Sequence, residues 1–112
     1  MVSVLPVGWM SESDLLRGVT AVACGAGHPV AALLLREADM RVVRVVDGLN
    51  CERLPQGGAA GVVAGSRFLV GSPELLLDHG VDLSAVPPME TNDGMFFIAV
   101  DGRFAGLVLL DG

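Results

Sequence analysis

The sequence predicts an α+β domain in which helices pack on an antiparallel sheet. Three observations carry that expectation. Helical apolar periodicity occurs twice in succession near the start, interrupted by the glycine break Gly25-Ala26-Gly27. Strand-like runs then follow one another through turns rather than through crossover helices. Finally, Asp101-Gly102 stands between two apolar runs and is the strongest hairpin signal in the chain.

Taken in order, Val2 to Leu5 reads as a short strand ended by Pro6 and Gly8. Ser11 is the expected N-cap of a first helix, with Asp14 where a capping-box acid would stand. Leu15, Leu16, Val19, Val22 and Ala23 follow at helical spacing, and the glycines at 25 and 27 stop the helix. The second helix is expected from Pro29 to Ala38, because proline suits the first helical position. Its buried stripe is Val30, Leu33, Leu34 and Leu35. Two helices joined so closely form an αα-hairpin, whose apolar face needs a sheet to cover it.

Strands dominate the rest. The β-branched run 41–47 is expected to be one, stopped by Gly48. Ala59 to Ala64 and Arg67 to Val70 follow, joined around Gly65-Ser66. A short helix covers Pro73 to His79, with Ser72 as N-cap and Gly80 as its end. Val81 to Thr91 reads as a loop. Met95 to Val100 and Phe104 to Leu110 form the closing hairpin.

The 112 residues make one domain, 1–112, with room for a real core. The chain is 52% hydrophobic before its 15 glycines are counted, against about 45–50% for ordinary domains with glycine included. Mean hydropathy is +0.60. Either small residues dominate the core, or part of the surface is covered by something else. Net charge is −6, which argues against nucleic acid and against an anionic membrane surface. Every basic residue is Arg, so no Lys can grip a phosphate or form a Schiff base. Cys24 and Cys51 lack metal-ligand spacing and read as buried free thiols in a reducing compartment. No signal peptide is visible, and no apolar run is long enough to span a membrane.

Acid–base or nucleophile constellations are not evident. Asp14, Glu37, Glu74 and Asp78 fall on helices, where solvated faces and the helix dipole explain them. Asp101 and Asp111 read as turn residues, and Glu90 and Asp93 belong to a polar loop. His79 ends a helix, where a capping role suits it. Three places are more promising. His28 lies on a bend beside glycines, where a planar side chain can meet a planar ligand. In Gln56-Gly57-Gly58-Ala59-Ala60-Gly61 the small residues admit a ligand close to the backbone. Gly71-Ser72-Pro73 is a strand-to-helix corner whose N–H groups could meet an anion.

Their order and flanks matter more than each alone. Val4-Leu5-Pro6-Val7-Gly8-Trp9 leads into the first helix, which closes on Ala26-Gly27-His28-Pro29-Val30. Gln56-Gly57-Gly58 precedes Gly61-Val62-Val63-Ala64-Gly65, and Val70-Gly71-Ser72 precedes a short helix. Val100-Asp101-Gly102 and then Gly106-Leu107-Val108-Leu109-Leu110-Asp111 close the chain. With these five landmarks the chain resembles the nucleotide-binding (N) domain of heavy-metal-transporting P-type ATPases over nearly its whole length.

The resemblance implies a twisted antiparallel sheet of about six strands flanked by helical hairpins. It implies that the domain holds the adenine of ATP while a neighbouring domain takes the γ-phosphate, with Mg²⁺ contributing weakly. His28 would stack near the base, and Gly58, Gly71 and Ser72 would line the pocket. Implied partners are adenine nucleotide and the phosphorylation and actuator domains of a parent pump, at its cytosolic face, with no direct membrane contact. The chain lacks the family's Asp-Lys-Thr-Gly-Thr motif, so it is expected to have no catalytic activity alone. It also departs from the pocket pattern. Ala23 stands where the family has the Glu that binds the adenine edge, and Gly27 replaces the Glu directly before the His. Gln56 replaces a Gly, and Ser72 an Asn. Losing a charge-assisted hydrogen bond to the base costs ~1.5–3 kcal/mol. A degenerate, free-standing copy of the domain, with weak or no ATP binding and an interaction or regulatory role, is therefore the alternative.

Overall fold

The computed structural model describes residues 2–84, 86, 89–91 and 94–110. Asp93 and Asp111, read above as loop and turn residues, lie outside them. The element order is β1 (Val2–Pro6), α1 (Glu12–Ala26), α2 (Ala31–Met40), β2 (Leu49–Leu54), β3 (Gly58–Val63), β4 (Ser66–Gly71), α3 (Pro73–Asp78), β5 (Met95–Val100) and β6 (Arg103–Leu110). The strands form one six-stranded sheet in the order β1-β6-β5-β4-β3-β2. Every neighbouring pair is antiparallel. The fold class expected from the sequence is the one observed.

The α1–α2 hairpin covers one face of the sheet. Leu15, Leu16, Val19 and Val22 of α1 and Leu34 and Ala38 of α2 pack on Val4, Ala59, Val63, Phe68, Val70, Ile98 and Val108. On the other face Leu76 of α3 packs with Val81, Phe97, Ala99 and Leu107. Among the described residues, this second flank holds one short helix rather than a second hairpin. Phe97, Ile98, Ala99 and Val100 are all buried, alternately toward the two layers. That is why this stretch is continuously apolar.

Local chemistry explains most elements. Ser11 Oγ accepts from Asp14 N–H at 3.1 Å and caps α1. Asp14 turns to Arg17 at 2.7 Å and is not seen closing a reciprocal capping box. Two tight turns have positive φ at both central residues, Ala64-Gly65 (51° and 83°) and Asp101-Gly102 (51° and 82°). These are the primed turns that match strand twist. The first turn is therefore one residue earlier than the expected Gly65-Ser66, and Ser66 already pairs with Val63.

Three expectations are corrected. Residues 41–47 are not a strand, and β2 forms later, over Leu49–Leu54. The run is instead used to stop α2. Val42 N–H donates to Asp39 O at 3.1 Å and Val43 N–H to Ala38 O at 2.8 Å, with Val42 at φ 57°. This is the Schellman pattern, with a β-branched residue in the left-handed position that glycine usually fills. Val43 and Val46 then pack against the core. The stripe of α2 is also narrower than expected. Leu34 and Ala38 are buried, while Leu33 and Leu35 are exposed because the sheet lies under only one side of a ten-residue helix. The thiols are the third case: Cys24 is exposed and Cys51 half-buried, and both are free. What burial they have pushes both thiols above their ordinary pKa.

Two stability changes follow from these observations. Val42→Gly is expected to stabilise the fold by about 1 kcal/mol, because left-handed strain in an L-residue costs about 1–2 kcal/mol and the loss of side-chain restriction returns only part of it. Val42 is 91% exposed, so no packing is lost. Urea midpoints check this, and an unchanged or lowered midpoint contradicts it. Thr20 is fully buried with its hydroxyl unpartnered among the described residues. Thr20→Val, nearly isosteric, is expected to raise stability by about 1 kcal/mol or more. A fall in melting temperature would show that the hydroxyl has a partner.

Candidate nucleotide site

The site is built from the end of α1. Gly27, at φ 68°, lets the helix close with Gly27 N–H to Cys24 O at 3.2 Å and His28 N–H to Ala23 O at 2.9 Å. This Schellman turn fixes the backbone of His28. Pro29 does not begin α2 as expected. It is the second residue of a turn closed by Ala31 N–H to His28 O at 3.0 Å, and the helix starts at Ala31. Proline suits that place because its fixed φ suits the second position of such a turn.

Three contacts then fix the imidazole. Nδ1 accepts from Val30 N–H at 3.2 Å. Nε2 lies 2.8 Å from Gly57 O. Because Nδ1 is an acceptor, Nε2 carries the proton and donates it to the carbonyl. The ring also meets Phe96 edge-on, with centroids 5.7 Å apart at 84°. Gly57 belongs to a single 3-10 turn, Pro55–Gly57, and has φ 82°. His28 thus bridges the helical hairpin, the first glycine corner and β5. Sequence reasoning quoted Gly57 only as part of the glycine run and did not single out Phe96. The alternation Phe96, Ile98, Val100 toward the hairpin was the available signal.

Gly58 and Gly71 lie side by side on β3 and β4. A Cβ on Gly71 would come 3.4 Å from Gly58 Cα and 2.5 Å from Leu75 Cδ2, and one on Gly58 would also collide with Leu75. Leu75 of α3 fills the space the two glycines leave. Ser72 is the N-cap of α3 and its Oγ accepts from Leu75 N–H at 3.2 Å. The structure therefore joins Gly58, Gly71 and Ser72 in one corner, and His28 reaches that corner through Gly57. Gly61 has a different role: a Cβ there would lie 2.5 Å from Cys51 Sγ.

Beside His28 a slot opens between the hairpin and the sheet. Val22, Ala23, Val30, Ala59, Val70 and Phe96 are among its walls, and His28 is its polar wall residue. The volume left inside is about 10 Å³, room for about one water molecule. Among the described residues no cluster of three or more His, Cys, Asp or Glu could hold a metal ion. No helix among them is long and apolar enough to cross a membrane.

No family model matches the chain. The solved N-domain of HMA8, a copper-transporting P-type ATPase, superposes with a TM-score of 0.74 at 20% identity, covering 99% of both chains. The fold is that of a P-type ATPase N-domain. A second such N-domain, that of HMA6, gives a TM-score of 0.72 at 23% identity over 97% of this chain. Within a whole zinc-transporting PIB-type ATPase, the TM-score is 0.68 at 22% identity, over 96% of this chain and 18% of that one. In sequence the chain is 28% identical over 102 residues to copper-exporting P-type ATPase B of Archaeoglobus fulgidus, and 29% identical over 106 residues to a copper-transporting P-type ATPase of Rhizobium leguminosarum bv. viciae. These matches cover 89% and 90% of this chain but only 15% and 13% of the relatives. The resemblance to heavy-metal ATPase N-domains thus holds over nearly the whole chain.

Proposed function

We propose that this chain is the ATP-binding N-domain of a heavy-metal-transporting P-type ATPase, acting at the cytosolic face of the pump with its phosphorylation and actuator domains. The observation that carries the reading is the contact of His28 with Gly57, which sets an imidazole at the mouth of an apolar slot, beside Phe96 and next to the Gly58–Gly71 corner. In this reading His28 swings off the carbonyl and stacks on adenine, while Gly58, Gly71 and Ser72 border the nucleotide. Val2 on β1 pairs with Leu110 on the neighbouring β6. Phosphoryl transfer itself needs the aspartate of a neighbouring domain.

A titration with ATP followed by amide NMR tests the proposal. Resonances of His28, Gly58 and Gly71 are expected to move, with little change on adding Mg²⁺. If they stay put at millimolar ATP, the proposal fails. That result would favour a degenerate N-domain that serves as an interaction or regulatory module. The observation behind this second reading is the closed slot, with Leu75 packed against both glycines. Exposed Met40 and Val42 at the far end of the hairpin would then be partner surface.

A further inference from the structure

A cavity of about 510 Å³ lies on the α3 face of the sheet, with Glu52, Leu54, Arg67, Leu69, His79 and Asp101 among its walls. That volume falls within the range of about 300–1,000 Å³ usual for binding sites. None of its walls belongs to the candidate nucleotide site. Strand register explains the hollow. Leu75 and Leu76 of α3 cover the row formed by Gly58, Gly71 and Phe97. The next row across the sheet is Glu52, Ala60, Leu69 and Ala99. α3 ends after six residues, and two of the four side chains in this row are alanines. An apolar floor is therefore left open, with charged side chains around it.

Those charges are not balanced. Arg67 and Asp101 are tied together by Asp101 N–H to Arg67 O at 2.8 Å and Arg67 N–H to Asp101 Oδ1 at 2.9 Å, so their side-chain charges offset one another. Glu52, at the β2 end, has no salt-bridge partner among the described residues. His79 Nδ1 lies 3.0 Å from Leu75 O. A carbonyl only accepts, so Nδ1 donates and the neutral ring keeps Nε2 as an acceptor. The unmatched groups are thus a carboxylate and an acceptor beside hydrocarbon. Arg and Lys answer both, with an apolar stem and a cationic head that only donates. Apolar exposure also continues on the elements that bound the cavity, where Leu49 of β2 and Leu77 of α3 are 63% and 58% exposed. A small free cation would leave those leucines wet. We propose that this face docks a segment of a partner protein that presents an Arg or Lys between apolar side chains. The net charge of −6 favours the approach of such a segment.

The test is amide NMR of the whole chain titrated with the blocked peptide acetyl-Leu-Ala-Arg-Ala-Leu-amide. Three controls accompany it: the same peptide with Glu for Arg, the same peptide with Ser for both Leu, and arginine amide alone. Amides of Ala60, Leu69 and Ala99 are expected to move with the Arg peptide at millimolar concentration, while those of His28 and Gly71 stay in place. The Glu and Ser peptides are expected to bind about fivefold or more weakly than the Arg peptide. Glu52→Lys, at an exposed position, is expected to invert the preference so that the Glu peptide binds better. Equal binding of the Arg and Glu peptides overturns the inference, as does the absence of any shift. Arginine amide binding as well as the Arg peptide overturns it in favour of a small cation. Shifts of Ala60, Leu69 and Ala99 on simple dilution, without peptide, overturn it in favour of a second copy of the chain.

Discussion

Gly106→Ala is expected to cost about 2–6 kcal/mol, combining backbone strain of about 1–3 kcal/mol with overpacking of similar size. Gly106 has φ 151° and pairs with both Pro6 on β1 and Ile98 on β5. A Cβ would lie 2.5 Å from Leu5 O and 2.8 Å from Pro6 Cα, which are main-chain atoms that cannot rotate away. It would also lie 2.8 Å from Leu15 Cδ2 at the centre of the core. Domains of this kind are stable by about 5–15 kcal/mol, so the variant should be close to unfolding at ordinary temperature. The strand that yields first should be β1, which among the described residues is an edge strand paired with β6 alone. Urea denaturation gives the size of the effect, and amide exchange at Val4 gives its place. A loss below about 1 kcal/mol would show that β1 does not hold its place tightly against Gly106.

Leu76→Ala is expected to cost about 2–5 kcal/mol. Leu76 is fully buried and is the buried side chain by which α3 is anchored. Its cluster, with Val81, Phe97, Ala99 and Leu107, is the smaller of the two cores. A helix of six residues has too little intrinsic stability to persist undocked. The damage should therefore be local before it is global. Amides of α3 should lose exchange protection while those of α1 keep it. Because Leu75 rides on the same helix and packs on Gly58 and Gly71, the glycine corner should loosen with α3. Equal loss of protection in α1 and α3 would mean that the two layers unfold as one unit.

Much of the fold was legible in the residues because it rests on local chemistry. Ser11 and Ser72 cap helices as their neighbours require, and Asp101-Gly102 forms a primed turn because both residues tolerate positive φ. The run 41–47 misled for an equally physical reason. β-propensity measures fit to a pleated, half-buried surface, and here that surface was already occupied. The carbonyls at the end of α2 claimed Val42 and Val43 first. β2 escaped notice because it is an edge strand, bulged between Leu49 and Glu52, with mostly exposed side chains. Its pairing comes from the main chain of β3 and leaves little trace in hydrophobic pattern.

The candidate site divides in the same way. His28, Gly58, Gly71 and Ser72 stood out as residue types at bends and corners. Their mutual arrangement did not, because Gly58 and Gly71 come together only once β3 and β4 pair, and His28 is tied to that strand only through Gly57.

By itself, then, the sequence determined the three helices in outline, five of the six strands, the Ser11 and Ser72 caps, the Asp101-Gly102 turn and the antiparallel layered class, since each depends on neighbours a few positions away. Only the tertiary structure decided that His28 is hydrogen-bonded to Gly57 and faces Phe96, that Leu75 packs into the space left by Gly58 and Gly71, and that Gly106 is pressed against β1. Those are contacts between segments far apart in the chain. They depend on strand order and on what fills each gap, which no local pattern encodes.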